Sequence, residues 1–368
     1  MNRPFPTFLE IDLNALEANF LHLKEKLAPK TKFLAVIKAF AYGSAAAVVA
    51  EKLESLNVDY FAVAYTQEGT ALRKAGVKKP IMILHPQVQC LEQIIDHCLE
   101  PCIYNFEVLK AFLAEAQLKK QRKYPVHIKF NTGLNRLGFQ DDQAQAVAKV
   151  FDRQDVLYIT SLLSHLAASE DPEEKEFTIN QVRKFESIND QFIASLGYQP
   201  IRHLCNTSGI LNYPEAHFDM VRSGIGLYGF SNDPEKHAGL KPIASLKTHI
   251  SQIHHVPSGE SVGYNRGHVC TEAQSIAVVP IGHADGIGRQ YGKGKGQMMV
   301  NGQKAPIVGN VCMDMIMLDV TGIACSEGDL VEVFGQHQTA EELAEGAGTI
   351  SYELITGVSS RVPRVVLP

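Results

Sequence analysis

Residues 33–65 read FLAVIKAFAYGSAAAVVAEKLESLNVDYFAVAY. A continuous apolar run, FLAVIKA (33–39), is followed by a stretch whose apolar positions recur at helical spacing, AAAVVAEKLESLN (45–57). A second apolar run, YFAVAY (60–65), closes the unit. Apolar runs too short to be helices, joined by amphipathic segments, are the signature of parallel strands linked by crossover helices. The pattern repeats along the chain. Further strand-like runs stand at PIMILH (80–85), PCIYN (101–105), VHIKFN (126–131), LYITSLLSH (157–165), IRHLCN (201–206) and MVRSGIGLYG (220–229). VQCLEQIIDHCL, FEVLKAFLAEAQLKK and AQAVAKVFDR are helix-like segments between them. Eight strands so connected fit a (β/α)8 barrel or a doubly wound open sheet. Polar residues at the run ends favour the barrel: Lys38, Tyr65, His85, Asn105, Asn131, His165, Asn206 and Arg222. In a closed barrel those ends converge on one rim, where active sites form.

After about residue 236 the pattern changes. HISQIHHV, SIAVVPIG, GQMMVNGQKAPIVG, MIMLDV and DLVEVFG read as strands joined by tight turns, with one short helix candidate, TAEELAEGA. Asn301-Gly302 lies between two apolar runs and predicts a hairpin with a type I′ turn. The expected organisation is an α/β chain, with a (β/α)8 TIM barrel over 1–235 and a mostly-β domain over 236–368. The boundary is expected near SNDPEKHAG (231–239).

Composition excludes several classes of function. The net charge of −5 over 368 residues leaves no basic footprint for nucleic acid. No apolar run is long enough to span a bilayer, and MNRPFPTFLEIDLNALEANF lacks the continuous apolar core of a secretory signal. The seven cysteines are irregularly spaced, which predicts free thiols in a reducing cytoplasm. No His/Cys cluster has metal-site spacing.

Lys38 is flanked on both sides by apolar residues. A desolvated ammonium tends to lose its proton and become a nucleophile suited to a Schiff base. The alternative is a lysine snorkelling past the sheet end. Position alone leaves both readings open.

AVIKAFAYG (35–43) resembles the cofactor-lysine motif of the alanine racemase family. HIKFNTGLNRLGF (127–139), SHLA (164–167), HLCNTS (203–208), VRSGIGLYG (221–229), VGYNRG (262–267), GHADG (282–286), GNVCMDM (309–315) and SRVPRV (360–365) are similar to further family segments, in the same order and at similar spacing. The resemblance implies an isomerase that interconverts L- and D-alanine on pyridoxal 5'-phosphate and supplies D-alanine for peptidoglycan. It also implies a cytoplasmic homodimer with sites shared between subunits. In that reading Lys38 binds the cofactor covalently and serves one face of the substrate. Tyr264, coming from the partner subunit, serves the other. That tyrosine needs nearby positive charge to act at neutral pH, with Arg136 and His165 as candidates. Arg222 would face the cofactor's ring nitrogen, held by His203. Tyr42, Thr207, Gly224 and Ile225 would bind the phosphate, with Asn206 and Ser208 as lesser neighbours. Arg136 and the partner's Met313, with Asp314 close by, would bind the substrate carboxylate. Lys129 matches a lysine that is often carbamylated in the family.

The match departs at Phe40, where the family has Asp or Asn, and at Ser44, where it often has His. Ser360 and His283 stand at positions often held by tyrosine, which keeps a broader-specificity amino-acid racemase of the same fold open as an alternative. A basic amino-acid decarboxylase would place a carboxylate, not Arg222, against the ring nitrogen. The second domain, with Tyr264 and Met313, speaks against a non-catalytic cofactor carrier on a lone barrel, and a cofactor-free Schiff-base aldolase would need neither the Arg222 segment nor the β-domain.

Overall fold

The computed structural model describes residues 5–152, 154–231 and 239–367, which form two compact units. The larger unit, residues 16–41 and 46–240, contains all eight predicted strands: Lys32–Val36, Tyr60–Val63, Ile81–Ile83, Glu100–Ile103, Tyr124–Lys129, Leu157–Leu163, Ile201–His203 and Met220–Ser223. The first seven pair in parallel in sequence order, and Met220–Ser223 returns to pair with Lys32–Val36. The barrel is nearly closed. Between Ile201–His203 and Met220–Ser223 regular pairing gives way to a seam, bridged by Asp219 N–H donating to Arg202 O (3.2 Å) and Arg222 N–H donating to Cys205 O (3.1 Å). Covering helices explain the unbroken apolar runs, because both faces of each strand are buried. In Lys32–Val36 every residue after the first is buried.

One irregularity shapes the interior. Val126 pairs with Ile159 but His127 pairs with Ser161, so Leu157–Leu163 carries an extra residue. Such a bulge re-aims side chains. His127 and Ser161 are both fully buried and hydrogen-bonded to each other.

The smaller unit comprises residues 1–15, 42–45 and 241–368, of which 5–15, 42–45 and 241–367 are described. Its nine-stranded sheet has the order Gln252–Val256, Gln274–Val279, Ile316–Asp319, Gln303–Val308, Gln297–Val300, Leu330–Phe334, Ala244–His249, Thr7–Asp12, Arg364–Leu367. Ala244–His249 alternates buried and half-buried residues, as expected for an antiparallel strand with one face on the core. The sequence boundary of 1–235 needs correction at its start, because Thr7–Asp12 pairs antiparallel with Ala244–His249 and parallel with Arg364–Leu367. The barrel's eight positions are already filled, and Phe8, Leu9 and Ile11 of this strand are buried. The expected boundary at 235/236 lies outside the described residues. A second short helix, Ser351–Thr356, joins the expected one at Ala340–Gly346.

Asn301 and Gly302 both have positive φ (47° and 77°), and Val300 pairs with Gln303 across the turn, as a type I′ hairpin requires. Gly43 also has positive φ (80°), but a Cβ there would collide with the carbonyl oxygen of Ile355, whose carbon lies 3.0 Å away. At Gly302 nothing lies within 4 Å. Gly302→Ala should therefore lose only the left-handed backbone preference, about 1 kcal/mol. Gly43→Ala should add a backbone collision and lose at least about 3 kcal/mol. Urea unfolding midpoints of the two variants test this, and equal shifts would contradict it.

Candidate active site

Lys38 follows strand Lys32–Val36 at the carboxyl rim of the barrel and enters an unusual turn. Ala39, Phe40, Ala41 and Tyr42 all have φ between 51° and 56°, one left-handed helical turn without glycine, and Gly43 follows at 80°. Left-handed backbone costs an L-residue roughly 1–2 kcal/mol, so four in a row constitute strain beside the lysine. Two contacts hold the turn: Ala41 N–H donates to Ile37 O (3.1 Å), and Ala39 N–H donates to Glu68 Oε1 (2.5 Å). Glu68 Oε2 also accepts from Ala64 N–H (2.8 Å) and Tyr65 N–H (3.1 Å), so one carboxylate ties two strand ends together. Glu68 was not singled out in the sequence. An acidic residue in the first turn of the helix after YFAVAY was the available signal. Phe40, where the motif it resembles has the left-handed-tolerant Asp or Asn, is 76% exposed.

Burial first, then the Arg136 charge, holds the Lys38 ammonium below a lysine's ordinary pKa, with Glu68 opposing. Lys129 is lowered for the same leading reason, burial, and by the charges of Arg222, Arg136 and Lys38, while Cys102 acts the other way. Arg136 sits exposed in the loop closed by Asn131 N–H donating to Phe139 O (2.8 Å) and Phe139 N–H donating to Lys129 O (2.9 Å). Asn131 Oδ1 accepts from Gly133 N–H (3.1 Å) and Asn135 N–H (3.0 Å), which shapes that loop.

Arg222 is buried on the last barrel strand. Its Nη1 donates to His203 Nδ1 (2.8 Å) and His203 O (3.0 Å). Its Nη2 donates to Ser164 O (2.7 Å), Leu204 O (3.0 Å) and His165 Nδ1 (3.1 Å). Burial pushes its pKa down to about 10, which still leaves a cation at neutral pH. Burial and the Arg222 charge drive both His165 and His203 well below the ordinary histidine value. The expectation that His165 supplies positive charge is therefore corrected: its imidazole is neutral, and Arg136 remains the candidate.

Thr207 Oγ1 accepts from Gly226 N–H (3.3 Å) and shares a hydrogen bond with Ser223 Oγ (3.0 Å), a buried hydroxyl the sequence reading passed over. A Cβ on Gly226 would lie 2.6 Å from Thr207 Cγ2. Gly224 and Ile225 lead into the turn Ile225–Tyr228, which Leu227 N–H closes by donating to Gly224 O (2.9 Å). Ser208 is buried in helix Thr207–Asn212. Asn105 and Asn206 are helix caps: Asn105 Oδ1 accepts from Val108 N–H (2.8 Å) and Asn206 Oδ1 from Gly209 N–H (2.8 Å).

In the β unit, Tyr42 is buried with its ring 6.1 Å from that of Tyr352, and burial raises its hydroxyl pKa. Tyr264 is 75% exposed and Met313 59% exposed. They line one depression of about 370 Å³ with Cys312, Asp314 and Met315. Asn310 Nδ2 donates to Tyr264 O (2.9 Å), and Ala284 N–H donates to Met313 O (3.0 Å). Arg361 bonds Asp285 through Nε (2.6 Å) and Nη2 (3.1 Å), and Asp314 through Nη2 (2.6 Å). Ser360 beside it is exposed.

The donor set fits an anionic ligand with a ring acceptor. Among the described residues, Lys38, Lys129, Arg136 and Arg222 have no carboxylate within salt-bridge distance. Arg222 commits both terminal nitrogens and keeps Nε–H free of any acceptor among those residues. A parallel barrel with a weakly basic lysine amine among unpaired cations on its carboxyl rim is the frame of an enzyme that holds an anionic carbonyl compound by lysine.

Comparison with known proteins sharpens that class. Residues 11–232 match the family described as Alanine racemase, N-terminal domain, and residues 243–366 match Alanine racemase, C-terminal domain. An alanine racemase of Halothermothrix orenii is 37% identical over 98% of this chain and 96% of its own. The solved alanine racemase of Clostridium difficile has a TM-score of 0.94 at 32% identity, over 100% of this chain and 97% of its own. The alanine racemase of Bartonella henselae, solved with covalently bound pyridoxal phosphate, has a TM-score of 0.89 at 29% identity, over 99% of this chain and 100% of its own. The chain belongs to the alanine racemase family.

The charges around Lys38 give a signed test. Replacing Arg136 by Leu removes a cation that lowers the Lys38 pKa, so its titration midpoint should rise and less neutral amine should be present at a given pH. Glu68→Gln should move the midpoint the opposite way. Reductive methylation with ¹³C-formaldehyde, followed by NMR across pH on cofactor-free protein, reads both. Shifts of the same sign would refute this account.

Proposed function

We propose that this chain interconverts L- and D-alanine with pyridoxal 5'-phosphate held by Lys38. In the proposed homodimer each copy lends Tyr264 and Met313 to the other's site. The observation that carries the reading is the group of cations around a lysine amine of lowered basicity, none of them in a salt bridge with a carboxylate among the described residues. The cofactor, when bound, supplies an electron sink that acidifies the substrate's α C–H.

The chain's own residues account for the rest. Lys38 Nζ, less basic than an ordinary lysine amine, serves one face of the substrate. The Tyr264 hydroxyl serves the opposite face, and Arg136 offers its planar fork to the carboxylate. Thr207, the N–H groups of Gly224 and Ile225, and Tyr42 would hold the phosphate. Arg222 would offer Nε–H to the cofactor's ring as a donor that keeps its proton, a choice that would suit racemisation over transamination. His165 and His203 keep that guanidinium in place.

Exposure of Tyr264 and Met313 around one depression supports completion of the site by a second copy. Among the described residues no helix is long and apolar enough to cross a membrane. The proposed setting is the cytoplasm, with D-alanine delivered to peptidoglycan. A broader substrate range is the second reading, favoured by the small exposed Ser360 where the family often has tyrosine.

Borohydride reduction followed by peptide mapping is expected to place the cofactor on Lys38, and a label on another lysine would refute the assignment. With L-alanine in D2O, Tyr264→Phe should lower racemisation by at least about 100-fold while retaining cofactor. Unchanged turnover would eliminate Tyr264 as a base. Co-expressed Lys38→Ala and Tyr264→Phe chains, each inactive alone, should regain partial activity in mixed dimers. No recovery would count against the shared site.

A further inference from the structure

A line of buried polar groups crosses five adjacent strands of the barrel interior. It starts at Arg222 on Met220–Ser223, whose Nη1 donates to His203 Nδ1 (2.8 Å) across the barrel seam. His203 Nε2 lies 2.8 Å from Ser161 Oγ, Ser161 Oγ 2.7 Å from His127 Nδ1, and His127 Nε2 2.8 Å from Glu100 Oε2. His203, Ser161 and His127 are fully buried. Glu100 opens strand Glu100–Ile103, so the line descends from the carboxyl rim to the opposite end of the barrel.

The chemistry of its ends sets its direction. A guanidinium can only donate, and an ionised carboxylate can only accept. His203 therefore accepts at Nδ1 and carries its proton on Nε2, from which it donates to Ser161. The single Ser161 hydroxyl proton goes to His127 Nδ1, and His127 donates from Nε2 to Glu100. Were His127 doubly protonated, Ser161 would receive two donors and its own buried proton would have no acceptor, which is costly. Only the one-way arrangement uses every donor. Bonds aligned head to tail polarise one another. A carboxylate behind an imidazole makes the imidazole's other nitrogen a stronger ligand.

We infer that Glu100 is a remote positioning residue: it terminates a one-way hydrogen-bond relay through His127, Ser161 and His203 that strengthens the grip of His203 Nδ1 on Arg222 and supplies the buried guanidinium with its counter-charge. The consequence for turnover rests on the proposed role of Arg222, whereas the relay itself does not. Burial, which holds His203 well below the ordinary histidine value, is consistent with the neutral ring the relay needs.

The test compares Glu100→Gln, Ser161→Ala and the double variant with the parent protein. In cofactor-free, ¹⁵N-histidine-labelled protein, both single variants are expected to shift the ring-nitrogen resonances of His203. In the holoenzyme each should lower kcat about two- to thirtyfold and leave KM for alanine within about twofold. The double variant should be no slower than Ser161→Ala, because loss of Ser161 already disconnects Glu100. Independent structural damage would instead multiply. Unmoved His203 resonances, unchanged kcat in both single variants, or a multiplicative double loss would overturn the inference. Glu100→Gln removes the charge with little change of shape, so it decides the matter alone if Ser161→Ala does not fold. A parent protein unable to racemise alanine would refute the functional reading, with the nitrogen resonances still deciding the relay.

Discussion

A guanidinium buried without a carboxylate at its side is the constraint on which the barrel's chemistry depends. Removing a charge from water costs several kcal/mol unless its hydrogen bonds are replaced and its field is compensated. Arg222 meets the first condition with three backbone carbonyls and two imidazole nitrogens. Its field, together with those of Lys129 and Arg136, shapes everything on the rim. Burial, reinforced by this field, drives His165 and His203 well below the ordinary histidine value and holds Lys129 below the usual lysine range. A site so arranged favours an anion and a free amine together, the pairing that a phosphorylated aldehyde requires.

Much of the fold is legible in the sequence because parallel strands are buried on both faces and appear as unbroken apolar runs. The eight runs and the Asn301-Gly302 hairpin are where those signals point. What escapes is whatever depends on distant pairing. FLEID at the amino end carries a strand-like run, yet nothing local says that Ala244–His249 and Arg364–Leu367 flank it. The six-residue helix Ser351–Thr356 is too short for its periodicity to register.

The site divides along the same line. Lys38 and Arg222 are visible because a charge inside an apolar run contradicts its neighbours. Glu68, Ser161 and Glu100 are not, since a single polar residue at a helix start or in a strand has many ordinary explanations. Their roles exist only once the barrel brings neighbouring strands together. His127 is one letter of the runs VHIKFN and HIKFNTGLNRLGF, and its partner Ser161 one letter of LYITSLLSH. The bulge that makes them face each other is a property of register and not of composition.

Two features of this barrel would be expensive if they served stability alone. The left-handed turn from Ala39 to Tyr42 carries about 4–8 kcal/mol of backbone strain at the usual cost per residue, and Phe40 adds a bulky exposed side chain to it. The polar line from Arg222 to Glu100 occupies interior space that branched apolar residues fill in other barrels. Strain and buried polarity of this kind persist where surrounding structure enforces them, and here both converge on the same rim. The turn fixes the direction in which Lys38 leaves its strand, and the line fixes the guanidinium across the seam. A relaxed turn with an apolar interior would be a more stable barrel. It would also leave the lysine amine and the guanidinium free to adopt other rotamers, and the proposed two-sided proton transfer needs both groups stationary relative to a planar substrate.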